Sequence, residues 1–169
     1  PVVVVVPFAI DVLPVGMPAQ LDQPQLLVRQ DASSVALVES ERWASPLNDE
    51  FRLALSAALR VRLGTQDVSG LSAPPGKQVL RVKVQIRRFD AWLAQGVELE
   101  ADWRLRFADA SGDAQLVCGD RFRQAASGDY AQLVKAQQMT VAALADRIAA
   151  DARKLSNAST TGIPDCTSS

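Results

Sequence analysis

The chain has no histidine, only two cysteines and a single tyrosine among its 169 residues. Histidine is the commonest metal ligand and the commonest general base at neutral pH, so most hydrolytic and metal-dependent chemistry loses its usual starting group. Cys118 and Cys166 are too few and too far apart for a zinc site, whose ligands come in closely spaced pairs. Long apolar runs are missing too, since nothing approaches the ~20 residues needed to cross a bilayer. Excess charge is also missing. A formal net charge of −1 and a pI near 5.5 give no long-range attraction for nucleic acid, whose binding rests on clustered cations neutralising phosphates. The chain opens at Pro1 with neither a methionine nor a signal peptide, as expected of a trimmed mature fragment.

What is present suits one folded domain. Hydrophobic residues make up 48% and charged ones 22%, which argues against a disordered tail, and a chain of this size can bury roughly two-thirds of its unfolded surface. We expect a single α+β domain over residues 1–155 and a polar tail over 156–169.

The stretch 37–64 organises the rest. Ser45 can accept from the first free N–H groups of a helix, Pro46 suits the first helical position, and Asp49 and Glu50 face the positive end of the dipole. Arg60 and Arg62 sit near the negative end, and Gly64 suits the left-handed position that closes a helix. Between these ends Leu47, Phe51, Ala54, Leu55, Ala58, Leu59 and Leu63 recur at helical steps and form one apolar stripe.

Ahead of that helix, the β-branched run 2–6 suits a short strand, and residues 8–15 suit a first sheet strand broken by Pro14, Gly16 and Pro18. Residues 25–29 and 35–39 read as a hairpin about the polar turn 31–34. After it, residues 65–77, rich in Ser, Gly and Pro, read as a mobile connection. Strict alternation then marks two strands. Leu80, Val82, Val84 and Ile86 oppose Arg81, Lys83, Gln85 and Arg87, while Leu99, Trp103 and Leu105 oppose Glu98, Glu100, Asp102, Arg104 and Arg106. With a turn over 90–96, the two pair antiparallel and the basic face of one adjoins the acidic part of the other. A third strand spans about 115–123, with Leu116, Cys118 and Phe122 on one face interrupted by Asp120. A long amphipathic helix over 129–155 follows, capped by Ser127 or Asp129. The order strands-helix-strands-helix indicates an α+β layer, a mostly antiparallel sheet with both helices on one face.

No grouping of side chains motivates a reaction. Glu39 and Glu41 could face the same way like an acid pair, but without a metal or histidine a solvated face is the better account. The paired serines 33–34 and 168–169 lack a base and a nucleophile elbow, and no glycine stretch has phosphate-loop spacing. Trp92 and Leu93 in the 90–96 turn either fold back on the sheet edge or meet another surface, since an exposed apolar pair costs solubility. Trp43 suits a plug at the strand-to-helix corner, with a contact role as the alternative. Cys118 and Cys166 are either free thiols or a disulfide closing a loop of about 49 residues, which would contribute roughly 3–4 kcal/mol.

Three segments carry a family resemblance. Residues 18–29 (PAQLDQPQLLVR), 41–47 (ERWASPL) and 129–134 (DYAQLV) resemble the PqiC/YmbA family of transport auxiliary lipoproteins, in an order and spacing running from about residue 13 to 155. The resemblance implies a non-enzymatic periplasmic domain tethered to the inner leaflet of the Gram-negative outer membrane by a lipidated N-terminal cysteine. It also implies work with a tunnel-forming MCE-domain protein and an inner-membrane partner in envelope lipid transport, with no cofactor. Two departures stand out: the lipidated cysteine is not in this sequence, and Gln23 replaces an expected basic residue. Arg29, Arg42 and Trp43, within or beside the matched segments, join Trp92 and Leu93 as candidates for contact with a partner or membrane. Self-association into a homo-oligomer is compatible with the same surfaces. The competing function is a periplasmic lipid carrier with its own apolar cavity, which two helices on one sheet face seldom enclose.

Overall fold

The computed structural model describes residues 5–19, 25–29, 35–42, 47–72, 74–108, 115–158 and 162–167, with backbone alone for 25–29 and 35–42. The chain runs β1 (Phe8–Val12), β2 (Gln25–Arg29), β3 (Val35–Arg42), α1 (Leu47–Leu63), β4 (Gln78–Trp92), β5 (Gly96–Phe107), β6 (Leu116–Ala125), α2 (Tyr130–Asn157). This is the α+β order expected, strands-helix-strands-helix. The expectations for residues 2–4, the turn 31–34, the Trp43 corner and the Ser45–Pro46 cap lie outside the described residues.

The sheet is built on β4, whose 15 residues carry partners on both edges. Along one edge β5 pairs antiparallel from Leu80↔Phe107 to Trp92↔Gly96, and β6 continues the sheet beyond it. The other edge is divided. β1 lies parallel from Phe8↔Gln78 to Val12↔Val82, a bridge joins Gly16 to Gln85, and β2 meets the far end at Arg29↔Trp92, carrying β3 outside it. The parallel β1–β4 pairing is a departure from hairpin-only pairing. It follows from connectivity, because the hairpin and α1 lie between those strands and supply the long crossover that parallel neighbours need.

The β4–β5 register agrees with the apolar pattern: Val82 faces Leu105, Val84 faces Trp103 and Ile86 faces Ala101, all buried. A bulge between Ile86 and Arg88 then shifts the alternation by one, so Phe89 and Ala91 become the inward residues. The expected charge match between these strands is corrected in part. Arg81 faces Arg106 and Lys83 faces Arg104, and acid meets base only beyond them, as at Arg88↔Glu100. Better complementarity lies between β5 and β6, where Glu98 faces Arg123 and Glu100 faces Arg121.

Both helices cover the same face. Phe51 of α1 meets Phe89 of β4 edge-on at 5.7 Å, and Leu55, Leu59 and Leu63 continue the buried stripe. The α1 helix ends at Gly64 with φ 60°, and the Arg62 carbonyl accepts from Arg153 Nη2 of α2 at 2.9 Å. Asp129 caps α2 by accepting from the Gln132 N–H at 3.1 Å. Leu133, Leu144 and Ile148 of α2 join Trp103, Leu116 and Phe122 in one core cluster reaching from Val6 to Ala152. Asp120, the polar interruption in β6, is bound by Arg147 of α2. A hydrogen bond from the Arg121 N–H, and then Arg147, outweigh burial and hold its carboxyl below the usual 3.8.

The start of the connection after α1, residues 65–69, is held by hydrogen bonds although the sequence reads 65–77 as mobile. Residues 66–68 run along the free edge of β1, with Ile10 N–H donating to the Gln66 carbonyl at 3.0 Å and Val68 N–H to the Ile10 carbonyl at 2.8 Å. Asp67 anchors the segment by accepting from Ser56 Oγ at 2.6 Å, from Ser69 N–H at 3.0 Å and from the Ser69 hydroxyl, with Arg52 3.4 Å away. Burial opposes ionisation of Asp67, but these donors outweigh it and leave its pKa below 3.8.

Two predictions follow from these contacts. A carboxylate whose folded pKa lies below its unfolded value contributes stability that is complete above the unfolded pKa and is lost as pH falls through the folded one. Asp67→Asn is therefore expected to cost about 1.5–3 kcal/mol near neutrality and to narrow its gap from the parent below pH ~4; a gap constant down to pH ~2 would contradict this. Trp103 Nε1 donates to the fully buried Asp151 Oδ2 at 2.8 Å. Trp103→Phe keeps most of the ring but strands that oxygen, so thermal melts are expected to show a loss of about 1–3 kcal/mol, and an unchanged melt would show the bond to be dispensable.

Candidate docking surface

With its inner face covered by helices, the sheet turns its other face outward, and the β4–β5 turn stands at one end of it. The turn is shorter than the sequence suggests. β4 continues through Trp92, so only residues 93–95 lie outside the strands, and Asp90 is buried in the ladder rather than in a loop. Ala94 adopts φ 61°, Gln95 N–H donates to the Trp92 carbonyl at 3.1 Å, and the Gln95 carbonyl accepts from Ala126 N–H at 3.0 Å.

Trp92 is half-buried at the strand end, and Leu93 is 39% exposed beside it. The parallel β2–β4 contact sets Arg29 in register with Trp92, so three of the sequence candidates come together. Arg42 does not join them: it pairs with Gln25, at the opposite end of the β2–β3 hairpin from Arg29. Trp43 lies outside the described residues.

Cys118 of β6 and Cys166 are disulfide-bonded, with Cα atoms 5.9 Å apart. Thr167 N–H donates to Asp151 Oδ1 at 2.7 Å, and Arg147 donates to the Thr167 carbonyl. Residues 166–167 are thus held against α2 and β6, away from the β4–β5 turn.

Below Trp92 on the outer face lies a charge network that the sequence reading missed. Glu98, 8% exposed, is approached by Arg121 Nε at 3.2 Å, Arg123 Nε at 3.3 Å and Arg88 Nη1 at 3.9 Å. Arg121 also reaches Glu100 at 3.3 Å, and Arg88 reaches Asp90 at 3.5 Å. The available signal was the Glu-x-Glu of β5 against the Arg-x-Arg of β6, which fall opposite each other once the turn is placed. Such a network fixes the strand ends and supplies no free acid and base for proton transfer.

A cleft of about 260 Å3 lies between α1 and α2, lined by Leu47, Phe51, Ala58, Val134, Gln137 and Val141 among others. The buried Gln137 Oε1 in its wall has no hydrogen-bond partner among the described residues. Among those residues, no group of three or more metal-ligating side chains comes together.

These features define a class: an α+β module whose two helices and sheet share one main hydrophobic core. The chain belongs to the ABC-type transport auxiliary lipoprotein components, whose family model matches residues 4–149. This is the PqiC/YmbA-like family that the sequence motifs resemble. The fold is also that of a crystal structure of an uncharacterized protein, 18% identical, with TM-score 0.73, covering 89% of this chain and 95% of the other. A Xanthomonas campestris protein of known crystal structure is 13% identical with TM-score 0.70, covering 91% of this chain and 88% of that one. At such identities these two carry the fold alone. No curated protein matches the sequence. Family membership makes the chain a non-enzymatic transport auxiliary of lipoprotein type.

The turn depends on Gly96, at φ 152°, where an added Cβ would lie 2.3 Å from the Gln124 carbonyl oxygen. Gly96→Ala is expected to cost about 1–3 kcal/mol and to shift the amide resonances of residues 92–96 in NMR spectra. An undisturbed spectrum would mean that the turn absorbs the methyl group freely.

Proposed function

We propose that this chain is an outer-membrane-tethered periplasmic component of a phospholipid transport system, and that it docks through the β4–β5 end of its sheet on a tunnel-forming MCE-domain partner. The observation that carries the reading is the grouping of Trp92, Leu93 and Arg29 at that end. Tryptophan and arginine are among the residues enriched at binding hot spots, and Leu93 adds apolar area beside them. The inner-membrane partner and the outer-membrane anchor come with the family resemblance. The carrier reading has less support, because the open cleft of about 260 Å3 falls below the ~300–1,000 Å3 usual for ligand pockets.

The test changes Trp92 and Leu93 together to Ser in the full-length lipidated protein, followed by pull-down from envelope extract and thermal melting of the isolated domain. The expected outcome is a melting temperature within ~2 °C of the parent, since Trp92 and Leu93 lie at the rim of the core. Partner capture should fall at least tenfold, as for loss of a hot spot of about 2 kcal/mol or more. Unfolding of the domain with capture intact in the surviving fraction would make these side chains core and defeat the proposal.

A further inference from the structure

The outer face of the sheet is charged in two different ways along its length. Toward the β4–β5 turn, acids and bases alternate and pair: Arg87 bonds Asp102 at 2.7 Å, and the arginines around Glu98 and Glu100 complete the pattern. Toward the other end, the same strands set cation opposite cation, Arg81 against Arg106 and Lys83 against Arg104. Like charges directly opposite in a ladder oppose folding. Here they occur twice in succession on the same two strands.

Nearby groups soften this arrangement only in part. Lys83 donates to the Pro14 carbonyl, Arg106 has a contact of its own, and Asp11 of β1 stands in register with Arg81. Even with Arg106 set aside, Arg81, Lys83 and Arg104 outnumber Asp11, the one carboxylate in register with them among the described residues. Arg81 and Arg104 are exposed, and so is Val117 at 57%, which faces Arg104 from β6. Lys77, also exposed, directly precedes β4 at the same end.

We infer that this basic end of the outer sheet face docks on a bilayer surface carrying anionic phospholipid headgroups. Two observations favour a lipid surface over an acidic protein. The cations lie side by side on neighbouring strands of one sheet face, so they suit an array of phosphates spread over a surface better than a single protruding side chain. The family is one of lipoproteins, so a lipid-bearing chain holds this face within reach of a bilayer. Each lysine or arginine near an anionic surface adds attraction that falls off within a Debye length, so several weak contacts sum without a pocket. Membrane docking of this kind does not depend on the identity of the transport partner, and it uses the end of the face remote from Trp92.

The experiment measures partitioning of the soluble chain, without its anchor, onto vesicles of phosphatidylcholine alone and of phosphatidylcholine with 30% phosphatidylglycerol (about a third anionic, as suits an electrostatic test). Binding is expected to the anionic vesicles alone and to weaken with salt. Arg104→Glu removes one positive charge and adds one negative charge, so partitioning should fall about 25-fold. The same change places opposite charges across the ladder from Lys83, so the melting temperature should rise by about 1–4 °C. Arg121→Gln, in the paired part of the face, should leave partitioning within about twofold while lowering stability. Equal binding to neutral vesicles, no binding to either vesicle, or unchanged partitioning of Arg104→Glu would each overturn the inference. Should Arg104→Glu fold poorly, Arg81→Gln takes its place: partitioning is expected to fall about fivefold, and no change would overturn the inference equally. Partner capture by the Trp92 and Leu93 variant is read separately, so failure of one idea leaves the other standing.

Discussion

The structure depends on the two-sided pairing of β4. Its antiparallel ladder with β5 fixes one edge, while the other edge takes β1 at the beginning and β2 at the end. Side chains alternate with period two, so a slip of one residue along β4 would move Leu80, Val82, Val84 and Ile86 to solvent and Arg81 and Lys83 into the core. The bulge at residues 86–88 makes that slip once, locally. It leaves Arg87 and Arg88 both exposed and returns Phe89 and Ala91 to the inside, where Phe89 meets Phe51.

The helices then lock onto a sheet whose register is already set. Trp103 and Asp151 join β5 to α2 in a fully buried hydrogen bond, and Asp151 also receives the Thr167 N–H. A buried carboxyl group is tolerable when donors satisfy its oxygens, and here β5 and the C-terminal segment supply them. The Cys118–Cys166 bond, across 48 residues of sequence, lowers the entropy of the unfolded chain by an amount worth about 4 kcal/mol. It fixes a segment whose sequence is polar and which would otherwise have little to bury.

Much of this was legible in the residues, and the rest was hidden for physical reasons. Strict alternation disclosed β4 and β5, and the helical stripe with its charged ends disclosed α1, because each pattern is a local record of which side meets water. The parallel β1–β4 pairing left no such record, since residues 8–12 are equally apolar whichever neighbour they take. The bulge showed only as two adjacent arginines, which read as a strand end and made the turn look longer than it is. At the candidate surface, Trp92 and Leu93 were visible as apolar residues near a turn. Their proximity to Arg29 was not, because it arises from one long-range contact between strands more than 60 residues apart. The cation pairs were in plain view but were assigned to the wrong neighbours, as the acids of β5 lie nearer the turn than Arg81 and Lys83 do.

In the functions proposed above, the chain works by position, holding a partner and a membrane at fixed places on its outside. The proposed protein contact at one end of the sheet and the proposed lipid surface at the other would leave the interior devoted to folding. Native mass spectrometry of the full-length lipoprotein, released gently from membranes, tests that division most directly. The expected result is one mass for each chain, equal to the polypeptide with its covalent anchor. A second population carrying one non-covalently held phospholipid per chain, surviving mild activation and lost when the α1–α2 cleft is filled by Ala58→Phe, would contradict it and favour a carrier.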